Sequence, residues 1–117
     1  MNKDNYKGKG LLVIGGVQLQ KQTFEICKGL GIITYLVDND ENCYCMAYAD
    51  NFKQLDIRDT KILINYSEPL KDKSLIHGVF TQGTDVEHIV AYLARELGLA
   101  GTSFEAAEIC NDKSKFR

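Results

Sequence analysis

Two loops in this sequence carry residue types that bind small polar ligands. The glycine loop, Gly15-Gly16-Val17-Gln18-Leu19, follows the apolar run Leu11–Ile14. Glycine lets the backbone approach a ligand closely, and N–H groups at the start of a helix attract phosphate or carboxylate oxygens. The amide loop, Thr81-Gln82-Gly83-Thr84, presents an amide and hydroxyls at the start of another predicted helix. There they can recognise a polar or anionic group.

Each loop also has a purely structural interpretation. A Gly-Gly pair can serve only to allow a tight strand-to-helix turn. Thr84 or Asp85 can simply cap the helix that follows the amide loop. His88, on the polar side of that helix, is expected to be solvated rather than catalytic.

A dinucleotide-binding fingerprint is the main alternative for the glycine loop. Asp38 lies about 20 residues downstream, where such folds place the acidic residue that binds ribose hydroxyls. The G-x-G-x-x-G pattern, however, requires glycine where this sequence has Val17 and Gln20. Asp38 is then explained as a turn residue that accepts a hydrogen bond from its own backbone within Asp38-Asn39-Asp40.

The four cysteines predict no metal site. Cys43-Tyr44-Cys45 lacks the Cys-x-x-Cys spacing of zinc sites and has no histidine nearby. Cys27 and Cys110 lie in helix-like stretches, where a small buried thiol is common. We therefore expect reduced, structural thiols in a reducing compartment.

Alternating strands and helices must position these loops. The runs Leu11–Ile14 and Ile32–Val37 are apolar throughout, which is typical of strands covered on both faces. Between them, apolar positions recur at helical spacing until Gly31 offers a stop; they are Leu19, Thr23, Phe24, Cys27 and Leu30. A right-handed crossover joins the two strands.

The second half continues the alternation. The predicted elements are a short helical turn near Cys45–Ala47, a strand at Asn51–Gln54, a helix from Ile62 that Pro69 ends, a solvated connection at Lys71–Lys73, a strand within Ile76–Thr81 and a helix from Val86 to Leu97 closed by Gly98. We therefore predict an α/β fold, a three-layer Rossmann-like parallel sheet of about four strands with helices on both faces.

Composition indicates one small domain. The chain has 117 residues, 44% of them hydrophobic, and a net charge of −2. Mixed charges give no field that would attract nucleic acid or an anionic membrane. No apolar run approaches the roughly 20 residues that cross a bilayer, and the polar N-terminus has no signal-peptide core. We expect a cytoplasmic protein.

Four segments resemble, in order, the pre-ATP-grasp domain that opens ATP-grasp carboxylate-amine ligases and carboxylases. Gln18 and Leu19 occupy the amide and leucine positions of a loop similar to Gly-x-Gly-Gln/Glu-Leu-Gly, found in the phosphoribosyl-aminoimidazole carboxylase and glycinamide ribonucleotide transformylase branches. The second segment is the acidic turn at 38–40 with Ala47, Ala49 and Asp50. The third is the Thr81–Asp85 loop, which is similar to Thr-x-Gly-Thr-Asp of carbamoyl-phosphate-synthase-like members. The fourth is Leu99–Ser103 with Asn111–Lys113.

The resemblance implies domain limits and site residues. Residues 1–101 would form the pre-ATP-grasp domain, and residues 102–117 the linker helix and first residues of a missing ATP-grasp domain. Substrate would contact both loops, through Gly15, Gly16, Gln18, Leu19, Gln82, Gly83 and Thr84. Nucleotide would contact Lys113, with Arg117 as the second choice.

The resemblance also implies an activity for a parent enzyme. The parent would use ATP and Mg to convert a carboxylate to an acyl phosphate for attack by an amine. The metal ligands would lie outside this chain, so the fragment would be inactive alone. Its partners would be a small carboxylate or phosphorylated substrate, the ATP-grasp domain of the same parent chain and, in one arrangement, a second copy. A stand-alone nucleotide- or NAD-binding module and a protein-interaction domain stay open as alternatives.

Overall fold

The computed structural model describes residues 6–82 and 86–99 of the chain. The strands are β1 (Gly10–Ile14), β2 (Ile33–Asp38), β3 (Asn51–Gln54) and β4 (Gly78–Phe80), and the helices are α1 (Lys21–Leu30), α2 (Thr60–Asp72) and α3 (Glu87–Leu97). Two 3-10 turns, Gln18–Gln20 and Tyr44–Tyr48, precede α1 and β3. All strand pairs are parallel, in the order β3-β2-β1-β4. The predicted α/β fold is confirmed.

The sheet is covered on both faces because successive β1 side chains point to opposite sides. Leu12 and Ile14 belong to the core cluster that includes residues of α2 and α3. Leu11 and Val13 belong to a second cluster with Phe24 of α1. All four strand residues are almost wholly buried, which explains why β1 is apolar throughout.

The first helix ends where the sequence predicted. Gly31 adopts φ +77°, and its N–H donates to the carbonyl oxygens of Cys27 and Lys28. Glycine takes up this left-handed conformation without the steric penalty of a Cβ. The chain then enters β2 at Ile33, beside β1.

The prediction that Pro69 ends the second helix is wrong. Pro69 lies inside α2, which continues to Asp72, so Lys71 and Asp72 form its last turn rather than a connection. The helix closes with its own bonds, since the N–H of Lys73 donates to the Pro69 carbonyl oxygen at 3.1 Å. At the other end Asp59 caps the helix by accepting from the Ile62 N–H at 3.2 Å.

The N-cap of the last described helix lies one or two residues further along the chain than predicted. Val86 occupies the N-cap position of α3 and makes no side-chain capping bond. Thr84 and Asp85, the predicted caps, lie outside the described residues. His88 is exposed, as expected. Within residues 6–82 and 86–99, no helix is both long enough and apolar enough to span a membrane.

The strand order places the two ligand-binding loops side by side. From β1 the chain proceeds to β2 on one side, whereas β4 pairs with β1 on the other. In open parallel sheets, ligands bind beyond the carboxyl ends of the strands at this reversal of order. The glycine loop leaves β1 and the amide loop leaves β4 at this edge.

Candidate ligand-binding site

The glycine loop is fixed by the protein's own hydrogen bonds. Gly15 adopts φ +91°, a conformation that favours glycine. Its N–H donates to the Val37 carbonyl oxygen at 2.8 Å, and the Gly16 N–H donates to Asp38 Oδ2 at 2.6 Å. The expectation that the N–H groups of this loop are free for a ligand is therefore wrong for Gly15 and Gly16.

Gly16 is required for packing as well. A Cβ at this position would lie 2.6 Å from Cys43 Sγ and 3.1 Å from Leu36 Cδ2. Both distances are shorter than ordinary van der Waals contact. The structural interpretation of the Gly-Gly pair therefore holds, whatever the loop binds.

Asp38 ties the glycine loop to the neighbouring acidic turn. Besides the Gly16 bond, its Oδ1 accepts the N–H of Asp40 at 2.8 Å, as predicted for a turn residue. Both carboxylate oxygens thus already accept a backbone N–H. In this arrangement Asp38 holds the loop, which is a different role from binding ribose hydroxyls.

Gln20 forms the floor of the candidate site, and the sequence did not predict it. Its side chain is fully buried, and Nε2 donates to the carbonyl oxygens of Ile14, at 2.9 Å, and Gly15. Nε2 also lies 3.5 Å from Thr81 Oγ1. Because the Thr81 hydroxyl donates to the same Ile14 carbonyl oxygen at 2.7 Å, these side chains connect the two loops.

Gln18 and Leu19 lie in the 3-10 turn before α1, and both are exposed. Leu19 was predicted on the buried face of the first helix, but it is 67% exposed and Gln20 takes the buried position. A 3-10 helix has 3.0 residues per turn, whereas an α-helix has 3.6. The side chains of this segment therefore point in other directions than α-helical spacing predicts. An open depression of about 410 Å³ adjoins the turn; its lining residues are Gln18, Leu19, Lys21, Gln22, Glu25 and Tyr44.

The amide loop is described only as far as Gln82, whose side chain is exposed beside Thr81. Gly83 and Thr84 lie outside the described residues, as do Lys113 and Arg117. The structure thus brings together the glycine loop, Thr81 and Gln82 at one edge of the sheet.

The thiols near the glycine loop are suited to packing, not to nucleophilic chemistry. Burial raises the pKa of the Cys45 thiol to about 11, with smaller contributions from Cys43 and Asp38. Burial also raises the pKa of Cys43. Cys45 is wholly buried, and its thiol donates to the Val17 carbonyl oxygen at 3.2 Å. Both thiols therefore stay protonated at neutral pH, whereas reactivity requires the thiolate.

Two further polar contacts belong to the scaffold. Asp50, part of the segment that resembles the ATP-grasp pattern, accepts from the Thr34 N–H at 2.9 Å and from its hydroxyl at 3.2 Å. Since Thr34 lies near the start of β2 and Asp50 precedes β3, this pair lies at the amino ends of the strands. It holds β3 on β2, away from the candidate site.

The chain is similar in sequence to a known protein. No protein-family model matches the chain. Carnosine synthase 1 from Mus musculus is 30% identical over 116 residues, covering 94% of this chain and 14% of that protein. The chain therefore spans about one seventh of this curated relative.

Solved structures share the fold. Phosphoribosylglycinamide synthetase from Anaerococcus prevotii superposes with a TM-score of 0.68 and 28% identity, over 92% of this chain and 27% of that chain. N5-carboxyaminoimidazole synthetase from Staphylococcus aureus, complexed with ADP, superposes with a TM-score of 0.63 and 22% identity, over 78% and 23%. By sequence and by fold, the chain is similar to the N-terminal domain of ATP-grasp ligases, and the resemblance predicted from its loops is confirmed.

Proposed function

We propose that this chain is the substrate-side N-terminal domain of an ATP-grasp enzyme that joins a carboxylate to an amine. The parent would use ATP to phosphorylate the carboxylate, and the amine would then attack the acyl carbon and release phosphate. We further propose that residues 1–101 form this domain and that residues 102–117 lead into the ATP-grasp domain. The carbamoyl-phosphate-synthase-like branch is our choice because the Thr81–Asp85 segment resembles its loop.

The juxtaposition of the two loops is the observation that carries the proposal. The glycine loop and Gln82 lie together at the reversal of strand order, where open parallel sheets bind ligands. The sequence similarity to carnosine synthase 1 extends over 94% of this chain. We propose that the substrate of the parent enzyme binds at these two loops.

In this proposal, the chain binds and orients the substrate. The exposed amides of Gln18 and Gln82 can each donate to a carboxylate or phosphate oxygen and accept from an amine or hydroxyl. The first two N–H groups of the glycine loop are bonded to Val37 and Asp38, which fixes the backbone that leads to Gln18. Preorganisation of this kind lowers the entropic cost of binding.

Mg and the transferring phosphoryl group are assigned to the rest of the parent. Among residues 6–82 and 86–99, no group of three or more His, Cys, Asp or Glu residues could hold a metal ion. The proposal therefore assigns no metal-dependent step to these residues, and it predicts that the chain alone does not hydrolyse ATP. Lys113 is proposed to contact the nucleotide when the ATP-grasp domain is present.

The proposal is tested by following backbone amide resonances of the chain during titration. The probes are acetate, a small amino acid, ribose 5-phosphate, ATP with Mg and NAD. At least one of acetate, the small amino acid and ribose 5-phosphate should shift the amide resonances of residues 15–19 together with that of Gln82. Gln18→Ala and Gln82→Ala should each weaken that binding about tenfold, the effect of one hydrogen bond to a charged group.

Asn65→Ala is the matched control, because Asn65 is an exposed amide on α2, outside both loops and the depression. It should leave the affinity of the responding probe unchanged. Micromolar binding of NAD with shifts at Asp38 would replace the proposal with a stand-alone dinucleotide module. Absence of any response at both loops would overturn the site assignment.

A further inference from the structure

The hydrogen-bond donors between the glycine loop and the amide loop are already used within the protein. The N–H groups of Gly15 and Gly16 donate to neighbouring parts of the chain. The side-chain amide of Gln20 has two N–H hydrogens, and the carbonyl oxygens of Ile14 and Gly15 accept from it. The Thr81 hydroxyl donates its one proton to the Ile14 carbonyl oxygen at 2.7 Å. These groups therefore have no hydrogen left to donate to a ligand.

The carbonyl oxygen of the Gln20 side chain is an acceptor without a partner. Gln20 is fully buried, and within the described part of the chain its Oε1 has no hydrogen-bond partner. The amide cannot turn over to relieve this, because Oε1 would then face the carbonyl oxygens of Ile14 and Gly15. Buried acceptors are normally satisfied by the chain, by water or by a ligand, because an unpaired one destabilises the fold. The partner that Gln20 lacks must be a hydrogen-bond donor.

The electrostatic field at the glycine loop is negative. The Cys43 thiol lies beside this loop, since a Cβ at Gly16 would be 2.6 Å from its Sγ. Burial raises the pKa of the Cys43 thiol, and the carboxylates of Asp38 and Asp40 raise it further. Carboxylates have this effect because they oppose the negative charge of a thiolate. They would oppose an anionic ligand in the same way, whereas they would attract a cation.

Lys21 is a cation near this loop, but its charge does not cancel the field. Its Nζ lies 5.3 Å from the Tyr48 ring centroid, an arrangement in which the ring face attracts the ammonium group. Lys21 lowers the pKa of the Cys45 thiol, yet it contributes less than Asp38 does in the opposite direction. The field that a ligand meets at the glycine loop therefore remains negative.

We propose that the substrate group that enters between the two loops is a primary ammonium group. Its N–H hydrogens can donate to acceptors such as Gln20 Oε1, and its positive charge is attracted by Asp38 and Asp40. The exposed amide oxygens of Gln18 and Gln82 can accept its remaining hydrogens. A carboxylate or phosphate group fits less well, because it brings lone pairs to acceptors and negative charge to carboxylates.

This inference rests on the proposed function, in which the substrate binds at these loops, and it names the chemical class of the bound group. Titration of the 117-residue chain at pH 7, followed by its backbone amide resonances, tests it with three probes. Ethylammonium has a primary ammonium group, acetate has a carboxylate of similar size, and tetramethylammonium has a positive charge without N–H hydrogens. We expect ethylammonium to shift the resonances of residues 15–19 and 82. It should bind about tenfold more tightly than either other probe, the effect of one hydrogen bond to a charged group.

Charge changes at the exposed Gln18 side chain test the sign of the preference. Gln18→Glu adds a negative charge and should strengthen ethylammonium binding about threefold, whereas Gln18→Lys should weaken it about threefold. Asn65→Asp and Asn65→Lys are the matched controls, because Asn65 is an exposed amide on α2. Both controls should leave the affinity for ethylammonium unchanged. Circular dichroism confirms that each variant is folded.

The outcomes separate this inference from the proposed function. If acetate or ribose 5-phosphate shifted both loops and ethylammonium did not, the inference would be wrong and the substrate site would stand. An equal response to tetramethylammonium would also overturn it, because N–H donation would then play no part. Gln18→Glu and Gln18→Lys with the same affinity for ethylammonium would contradict the negative field. If none of the four compounds shifted either loop, both the inference and the proposed site would be refuted.

Discussion

Replacing Gln20 with glutamate is the sharpest test of the floor of the candidate site. The amide nitrogen of Gln20 donates to the carbonyl oxygens of Ile14 and Gly15. In Gln20→Glu a carboxyl oxygen takes the place of that nitrogen. At neutral pH it faces two carbonyl oxygens, and both hydrogen bonds are lost.

The structure sets the size of the effect. Two lost hydrogen bonds reduce the free energy of unfolding by about 1–3 kcal/mol in total. The Gln20 side chain is fully buried, and burial raises the pKa of a carboxyl by several units. A rise of about two units is equivalent to about 2.7 kcal/mol at pH 7. We therefore expect Gln20→Glu to lower the free energy of unfolding by about 4–6 kcal/mol at pH 7, out of a typical total of about 5–15.

The loss of stability caused by Gln20→Glu should increase as the pH rises. The introduced carboxyl has a folded-state pKa above its unfolded value of about 4.3, so the folded state favours the protonated form. The destabilisation is smallest below about pH 4 and grows as the pH rises through the folded pKa. Urea unfolding, followed by circular dichroism at pH 5 and pH 7.5, should show a loss about 2 kcal/mol larger at the higher pH.

Gln18→Glu is the control for charge alone. Gln18 is exposed two residues away, so its replacement should change the free energy of unfolding by less than about 0.5 kcal/mol. If Gln20→Glu were within 1 kcal/mol of the unmodified chain at pH 7.5, or if its effect did not depend on pH, the assignment of Gln20 as a buried donor would be refuted.

Three further predictions concern the packing of α1 and of the residues around the site, and urea unfolding tests each of them. Gly29→Ala should raise the free energy of unfolding by about 0.5–1 kcal/mol, because the helix gains a Cβ that meets no other atom. A lowered value would show that the backbone needs glycine. Gly16→Ala should destabilise by about 1–3 kcal/mol, and combining it with Cys43→Ala should recover part of this loss, because Cys43 Sγ is the nearest atom to the new Cβ. Simple additivity would refute the clash. The raised pKa of Cys45 predicts that stability falls between about pH 9 and 11, as the unfolded thiol ionises first; Cys45→Ala should reduce that fall, and an unchanged profile would contradict the burial of the thiol.

Patterns of side-chain type predicted the sheet well because both of its faces are buried, which makes its central strands largely apolar. The apolar run at Leu11–Ile14 predicted a strand buried on both faces, and Asn51–Gln54 was predicted with the bounds it has. Gly31 was predicted as a helix stop, and its φ of +77° confirms the reason. Each of these features depends on a single residue or on a short run of residues, so it can be predicted without knowledge of tertiary contacts.

The errors arose where tertiary contacts override local preference. Pro69 remains within α2, although it lacks the N–H that a helix normally uses. A buried amide is hard to anticipate, because the partners of Gln20 are carbonyl oxygens of β1 that only the fold brings near. The exposure of Leu19 follows from a 3-10 turn that apolar spacing alone does not reveal. The Gly16–Asp38 bond likewise joins residues 22 positions apart.

The central claim is that this chain provides the substrate side of an ATP-grasp ligase. It is tested most directly by measuring ADP formation by a polypeptide in which the chain continues past Arg117 into an ATP-grasp domain, with ATP, Mg, a carboxylate and an amine. The account predicts turnover that requires both substrates, that falls at least tenfold in Gln18→Ala, and that is absent from residues 1–117 alone. Equal turnover with and without residues 1–101, or turnover unaffected by changes in both loops, would contradict it.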